Sequence, residues 1–227
     1  MKLKVIGRYG PYPAAGGATS AYLIISDGCR VMLDFGSGAL GRMYSELDAA
    51  PDAIILSHLH YDHISDIFPL SYAPAKPAIY LPFTDCPQFG QISSGGFALN
   101  RIGHLYETDI KDLHFTFYSV RHPIECYAVK VTDGKGTLFY SGDTTYFDEL
   151  ASYAAGADML LLDCAQDPDG AATPHMTTKQ GELLKNAVGA RTVATHVSPL
   201  FSPYAAAEAC GIEVAEEGAV YGTVKKR

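Results

Sequence analysis

The chain has 227 residues, 48% of them apolar and 19% charged, and a net charge of −8 from 17 basic and 25 acidic side chains. That balance suits one globular domain, residues 1–227, with enough length for a full core. No run of ~18 apolar residues suggests a membrane span, and the scattered bases form no stripe of the kind that grips nucleic-acid phosphates. The terminal Lys225, Lys226 and Arg227 read as a solvated tail. Cys29, Cys86, Cys126, Cys164 and Cys210 are widely spaced, odd in number and without a C-x-x-C pair, which argues for buried reduced thiols rather than a disulfide framework or a cysteine zinc knot.

In chain order, MKLKVIGRYG opens as a short strand and lacks the apolar run and cleavage site of a signal peptide, so a cytoplasmic protein is expected. The Pro/Gly stretch GPYPAAGGATS, residues 10–20, reads as a loop and a pocket wall, with Thr19 and Ser20 as candidate lining residues. The strands SAYLII and RVMLDFG follow, then a helix over ALGRMYSEL, the strand AIILSH, a helix over ISDIFPLSYA and the strand AIYLP. Further on come the strands FTFYSV, YAVKV and TLFYSGD, a helix over FDELASYAAGA, the strand MLLLDCA, a helix over TKQGELLKNAVGA, the strand TVATHV, a helix over YAAAEAC and the strand AVYGTV. The continuous apolar runs AIIL and MLLL predict strands buried on both faces, which requires helices outside the sheets. The pattern is a mixed α/β domain with room for two sheets.

Chemistry concentrates after AIILS. His58, His60, Asp62 and His63 lie within six residues, and imidazole and carboxylate are the ligand types divalent ions accept. Packing alone gives no reason to gather them. On an extended strand end, His58 and His60 would point the same way, and a turn through Tyr61 would let Asp62 and His63 face a second ion. His122, Asp143 and His196 stand at the ends of later strands beside turn residues, and a carboxylate at Asp143 could bridge two ions.

SHLHYDH, His122, FYSGDT and THVSP, in that order, resemble the metallo-β-lactamase superfamily over nearly the whole chain. The resemblance implies an αββα sandwich, two mixed sheets flanked by helices with the site between them. It implies one ion held by His58, His60 and His122, another by Asp62, His63 and His196, Asp143 bridging, and Asp34 in LDFGSG orienting ligands from behind. Two divalent ions are expected, zinc first, with manganese or iron also suited to the donors. Such a pair can share a hydroxide, lower its pKa to ~7 and clamp the oxygens of the group attacked, with Asp62 orienting the nucleophile or taking its proton.

Asp163 ends the strand MLLLD, and His175 follows twelve residues later in TPHMTTKQG. A carboxylate that holds a histidine makes a general acid for a leaving group; the alternative is that Asp163 caps a turn and His175 the next helix. Within the superfamily the segment is most similar to the tRNA-maturation endonucleases (RNase Z) and their phosphodiesterase relatives. Those endonucleases insert a long tRNA-gripping arm between the residues matching His122 and Asp143, a span of only 21 residues here (143 − 122). The acidic charge points away from tRNA as well. The expected activity is therefore a dinuclear phosphodiesterase on small or cyclic phosphodiesters. An esterase or lactonase, an RNase Z-like nuclease and a non-catalytic binding protein are the alternatives. The phosphonate-pathway cyclic phosphodiesterases also lack the arm, but they carry a cysteine-rich zinc site that this chain does not. His104 and His114 read as structural, and the apolar ISDIFPLSYAPAKPAIYLP reads either as a homodimer surface, as the resemblance to RNase Z implies, or as ordinary core.

Overall fold

The computed structural model describes residues 1–47, 49–165 and 174–223. In chain order it forms β1 (Lys2–Gly7), β2 (Ala21–Ile25), β3 (Arg30–Leu33), α1 (Ala39–Glu46), β4 (Ala53–Ile55), α2 (Tyr61–Ile64), α3 (Ile67–Leu70), β5 (Ala78–Leu81), α4 (Pro87–Ser94) and β6 (Leu99–Arg101). The second half contributes β7 (Glu107–Ile110), β8 (Leu113–Ser119), β9 (Tyr127–Thr132), β10 (Thr137–Tyr140), α5 (Leu150–Ala154), β11 (Met159–Asp163), α6 (Thr178–Val188), β12 (Arg191–Thr195), α7 (Tyr204–Ala209), β13 (Glu213–Val214) and β14 (Val220–Gly222).

The strands make two mixed sheets of seven, ordered β14-β1-β2-β3-β4-β5-β6 and β13-β12-β11-β10-β9-β8-β7. β14 leaves the second half to pair antiparallel with β1, Lys2 opposite Gly222, so the chain closes on its own start. One core fills the space between the sheets, with Tyr22, Ile55, Phe115, Phe117 and Leu161 among its members. A second lies outside the first sheet around Phe35, Met43, Ile67 and Ile92. The third lies outside the second sheet around Leu150, Leu162, Leu184 and Ile212. Alternate residues of each strand therefore feed an inner and an outer core, which is why β4 and β11 are buried throughout and read as unbroken apolar runs. The layering is the expected αββα sandwich.

Two expectations are corrected. ISDIFPLSYA is not one helix: it splits into α2 and α3 around Asp66, whose carboxylate accepts from the Leu40 amide in the first turn of α1 (2.8 Å). Thr19 and Ser20 do not line a pocket. Both are buried, and Thr19 spends its hydroxyl and its amide on the backbone of Ser37. Four cysteines are buried free thiols and Cys86 is half-buried. The terminal Lys225, Lys226 and Arg227 lie outside the described residues. Among the described residues no helix is long and apolar enough to cross a membrane.

Candidate metal centre

β4 ends at Ile55, so His58 and His60 stand on the loop beyond it rather than on the strand, and α2 places Asp62 and His63 in a single turn. His122 follows β8, Asp143 follows β10, Asp163 closes β11 and His196 follows β12. Every expected metal ligand, and Asp163, thus stands at or just beyond the carboxyl end of a strand. His196 (φ 57°) and Asp34 (φ 56°) sit in the left-handed region, where a side chain is strained and the surroundings must hold it.

Three ring nitrogens meet first. His60 Nδ1 lies 3.0 Å from His58 Nε2 and 3.0 Å from His122 Nε2. A tetrahedral ion with bonds of ~2.1 Å would hold its donors ~3.4 Å apart, so this trio needs little adjustment to take one. The second group centres on carboxylates. His196 Nε2 is 3.1 Å from Asp62 Oδ2 and 3.2 Å from Asp143 Oδ2, and His63 Nε2 is 3.5 Å and 3.3 Å from the same two atoms. Asp143 belongs to both groups, with its Oδ2 3.7 Å from His58 Nε2. Among the described residues the buried His63 Nε2 and Asp143 Oδ1 have no hydrogen-bond partner, and an unmet donor or acceptor of that kind is costly unless something fills it. The donor set fits divalent metal. The structure brings all seven expected ligands together.

Behind them Asp34 fixes the geometry. Its Oδ2 faces His63 Nδ1 at 2.8 Å and accepts from the Ser57 hydroxyl (2.9 Å) and the Tyr140 hydroxyl (2.6 Å), while Oδ1 accepts from the Ser57 amide (2.7 Å). The Ser57 hydroxyl also lies 3.0 Å from His58 Nδ1. One carboxylate therefore turns a nitrogen of His63, and through Ser57 a nitrogen of His58, into the site.

The electrostatics divide the same way. Burial pushes His58, His60 and His122 below the usual imidazole range, His122 to about 4, so this trio is neutral with lone pairs available. Burial also disfavours charge on His196, but the Asp143 and Asp163 carboxylates outweigh it and raise the ring to about 9. His63 is raised against burial by Asp143, Asp62 and Asp34. Burial would raise Asp62 and Asp143, but the facing histidines hold both below the usual carboxylate range. Two protonated rings stand where an ion's charge would go.

His175 Nδ1 lies 2.6 Å from Asp163 Oδ2, which also accepts from the Thr144 amide at 3.1 Å. Its ring stacks on His196 with centroids 4.7 Å apart and planes 23° off parallel. Asp163 Oδ1 stands 3.6 Å from His196 Nδ1, so one buried carboxylate backs both rings. Burial lowers the His175 pKa and Asp163 more than restores it, leaving it above the usual value. The cap of α6 is Thr177, not His175.

His104 accepts from the Ser119 amide (3.0 Å) and His114 pairs with Asp109 (2.7 Å), both structural roles. Sequence reasoning missed Ser57, Tyr140, Gly10 and Gly36. A Cβ on Gly10 would stand 2.1 Å from His196 Nε2, and one on Gly36 would stand 2.0 Å from the Asp62 carbonyl. The glycines of RYGPYP and LDFGSG were the available signal, for a backbone that must approach something closely.

A family model described as a beta-lactamase superfamily domain matches residues 30–197. The chain belongs to that superfamily. It is 34% identical over 215 residues, 87% of either chain, to the probable metallo-hydrolase YhfI of Bacillus subtilis (strain 168). The crystal structure of YhfI, described there as a metallo-beta-lactamase fold protein, matches with a TM-score of 0.90 at 29% identity over 97% of this chain and 99% of that one. A diphosphatase from the PhnP family (TM-score 0.74, 19% identity, 99% of each chain) and the short form of human tRNase Z (TM-score 0.76, 18% identity, 98% of this chain and 99% of that one) share the fold. This chain is a metallo-hydrolase of the β-lactamase superfamily, with a His/Asp cluster able to bind metal.

Proposed function

We propose that the chain hydrolyses small phosphodiesters at a dinuclear centre, most simply of zinc. His58, His60 and His122 would hold one ion, Asp62, His63 and His196 the other, and Asp143 both. Ions so held supply Lewis acidity and a water with its pKa lowered to ~7. Asp62 would orient the attacking water or accept its proton. Water oxygen bonds to phosphorus as the opposite P–O bond breaks, and the departing oxygen takes a proton from His175. Asp163 engages Nδ1 of that ring, which puts the exchange on Nε2, and its charge favours the protonated form.

The observation that carries this reading is the 2.6 Å His175–Asp163 contact beside His196. The small substrate is supported by the short path between His122 and Asp143, which β9, β10 and the Asp133–Gly136 turn use up without an arm. A related fold occurs in a PhnP-family diphosphatase, which agrees with a small phosphate substrate.

The test is a panel of bis-p-nitrophenyl phosphate, cyclic nucleotides, p-nitrophenyl esters and lactones, run with wild type and His175→Ala. Diester turnover is expected. The variant should lose ~10²–10⁴-fold in kcat on alkyl leaving groups and much less on p-nitrophenolate, which leaves without a proton. Ester turnover that survives the substitution, with no diester turnover, would overturn the proposal.

A further inference from the structure

Beside the metal centre the chain forms a separate concavity. The Gly10 amide donates to the Val197 carbonyl (3.2 Å) and the Val197 amide to the Arg8 carbonyl (2.8 Å), tying the loop after β1 to the residue after His196. Gly10 lies against the edge of the His196 ring that carries Nε2, the nitrogen facing Asp62 and Asp143. The flanking Tyr9 and Val197 line a cavity of about 290 Å³, which continues along the loop to Tyr204. That volume is just below the ~300–1,000 Å³ of small-molecule sites and suits a single ring system.

Its lining is about equally polar and apolar, with Arg8, Ser198 and Ser202 among aromatic and aliphatic side chains. Tyr9, Leu200, Phe201 and Tyr204 contribute, and Leu200, Phe201 and Tyr204 are 72%, 50% and 45% exposed, surface that a ligand would cover. The one cation is already used. The Arg8 guanidinium pairs with Glu216 (2.8 Å), donates to the Ala215 carbonyl (2.6 Å) and the Tyr204 hydroxyl (2.9 Å), and stands 5.0 Å over the Tyr9 ring. Arg8 therefore braces the two tyrosines and leaves the cavity without net charge, which disfavours an anionic group and favours a flat neutral one. His175 covers one face of the His196 ring, where the leaving group would go, which leaves the side of Gly10, whose neighbour Tyr9 lines the cavity, to the retained group.

We propose that this cavity binds an aromatic ring on the retained substituent of the substrate, with Phe201 as the residue that selects it. The chemistry of the transferred group rests on the phosphodiesterase reading; the aromatic preference does not. Phenylphosphonate and methylphosphonate, titrated calorimetrically into zinc-loaded protein, test the preference without turnover. Phenyl p-nitrophenyl phosphate and methyl p-nitrophenyl phosphate, which share a leaving group, test it in catalysis. Wild type should bind phenylphosphonate about tenfold more tightly, the scale of one ring stacked on an aromatic side chain. Phe201→Ala should erase that difference, leave methylphosphonate binding unchanged, and raise KM for the phenyl diester alone with kcat kept. Leu200→Ala, also at an exposed position, should weaken the preference in part. Equal binding of the two phosphonates by wild type, binding of neither, or a preference that survives both substitutions would overturn the proposal. An intact phenyl preference without diester turnover would overturn the phosphodiesterase reading and uphold the cavity's role.

Discussion

At the scale of single residues, the site is two charge environments a few ångströms apart. The trio His58, His60 and His122 is kept neutral by burial, while His63 and His196 are kept protonated by the carboxylates around them. An ion entering the second group must displace those protons, so its affinity should rise with pH. Stability of the metal-free protein should move the other way. His196 is raised from 6.5 to about 9, so its contribution is fully present below pH 6.5 and is lost as pH rises through about 9. Thermal melts of chelator-treated protein should fall between pH 7 and 9, while melts with saturating zinc should not. A metal-free melting temperature that climbs over that window would sink the assignment. Asp34 allows a second check: Asp34→Asn should weaken zinc binding ~10–100-fold by loosening His63 and Ser57, measured by competition with a chromogenic chelator. The ligands were legible because chemistry alone gathers four donors in six residues. Gly10, Ser57 and Tyr140 were not, since what they do depends on neighbours 186, 23 and 106 residues away in the chain (196 − 10, 57 − 34, 140 − 34).

At the scale of elements, the legible pieces are those with two buried faces or a strong start signal. β4 and β11 read directly as apolar runs, and α6 announces itself by Thr177 and Gln180, whose side chains bond each other's backbone amides in a capping box. β6, β7 and β13 went unread because each is a sheet edge with a single ladder and polar residues: LNR, ETDI and EV carry no alternation to find. α4 buries only Ile92 of its eight residues, too little for an apolar stripe. α5 stops at Ala154, short of Gly156 at φ 78°. The capping box also anchors the chain two residues beyond His175, joining an element's stability to a functional side chain. Thr177→Ala should cost ~1 kcal/mol, seen as a lower urea midpoint at unchanged m-value. An unchanged midpoint would show that the box contributes nothing to the fold.

At the scale of the molecule, the donors are divided between the halves of the sandwich. His58, His60, Asp62 and His63 come from the loop and helix after β4 in the first sheet, whereas His122, Asp143 and His196 follow strands of the second. Each proposed ion has donors from both, so filling the site would clamp one sheet to the other. Because the unfolded chain cannot assemble such a site, binding should stabilise the fold by RT ln(1 + [L]/Kd), ~4 kcal/mol when free zinc is a thousand times its Kd. Zinc removal, verified by elemental analysis, should therefore lower the melting temperature reversibly. His63→Ala in the first half and His196→Ala in the second should each abolish most of the zinc-dependent increment, because either substitution removes one of the second ion's donors. If the metal-free and zinc-loaded proteins melt together, the ions do not join the halves, and the two-sheet clamp is wrong even if hydrolysis requires metal.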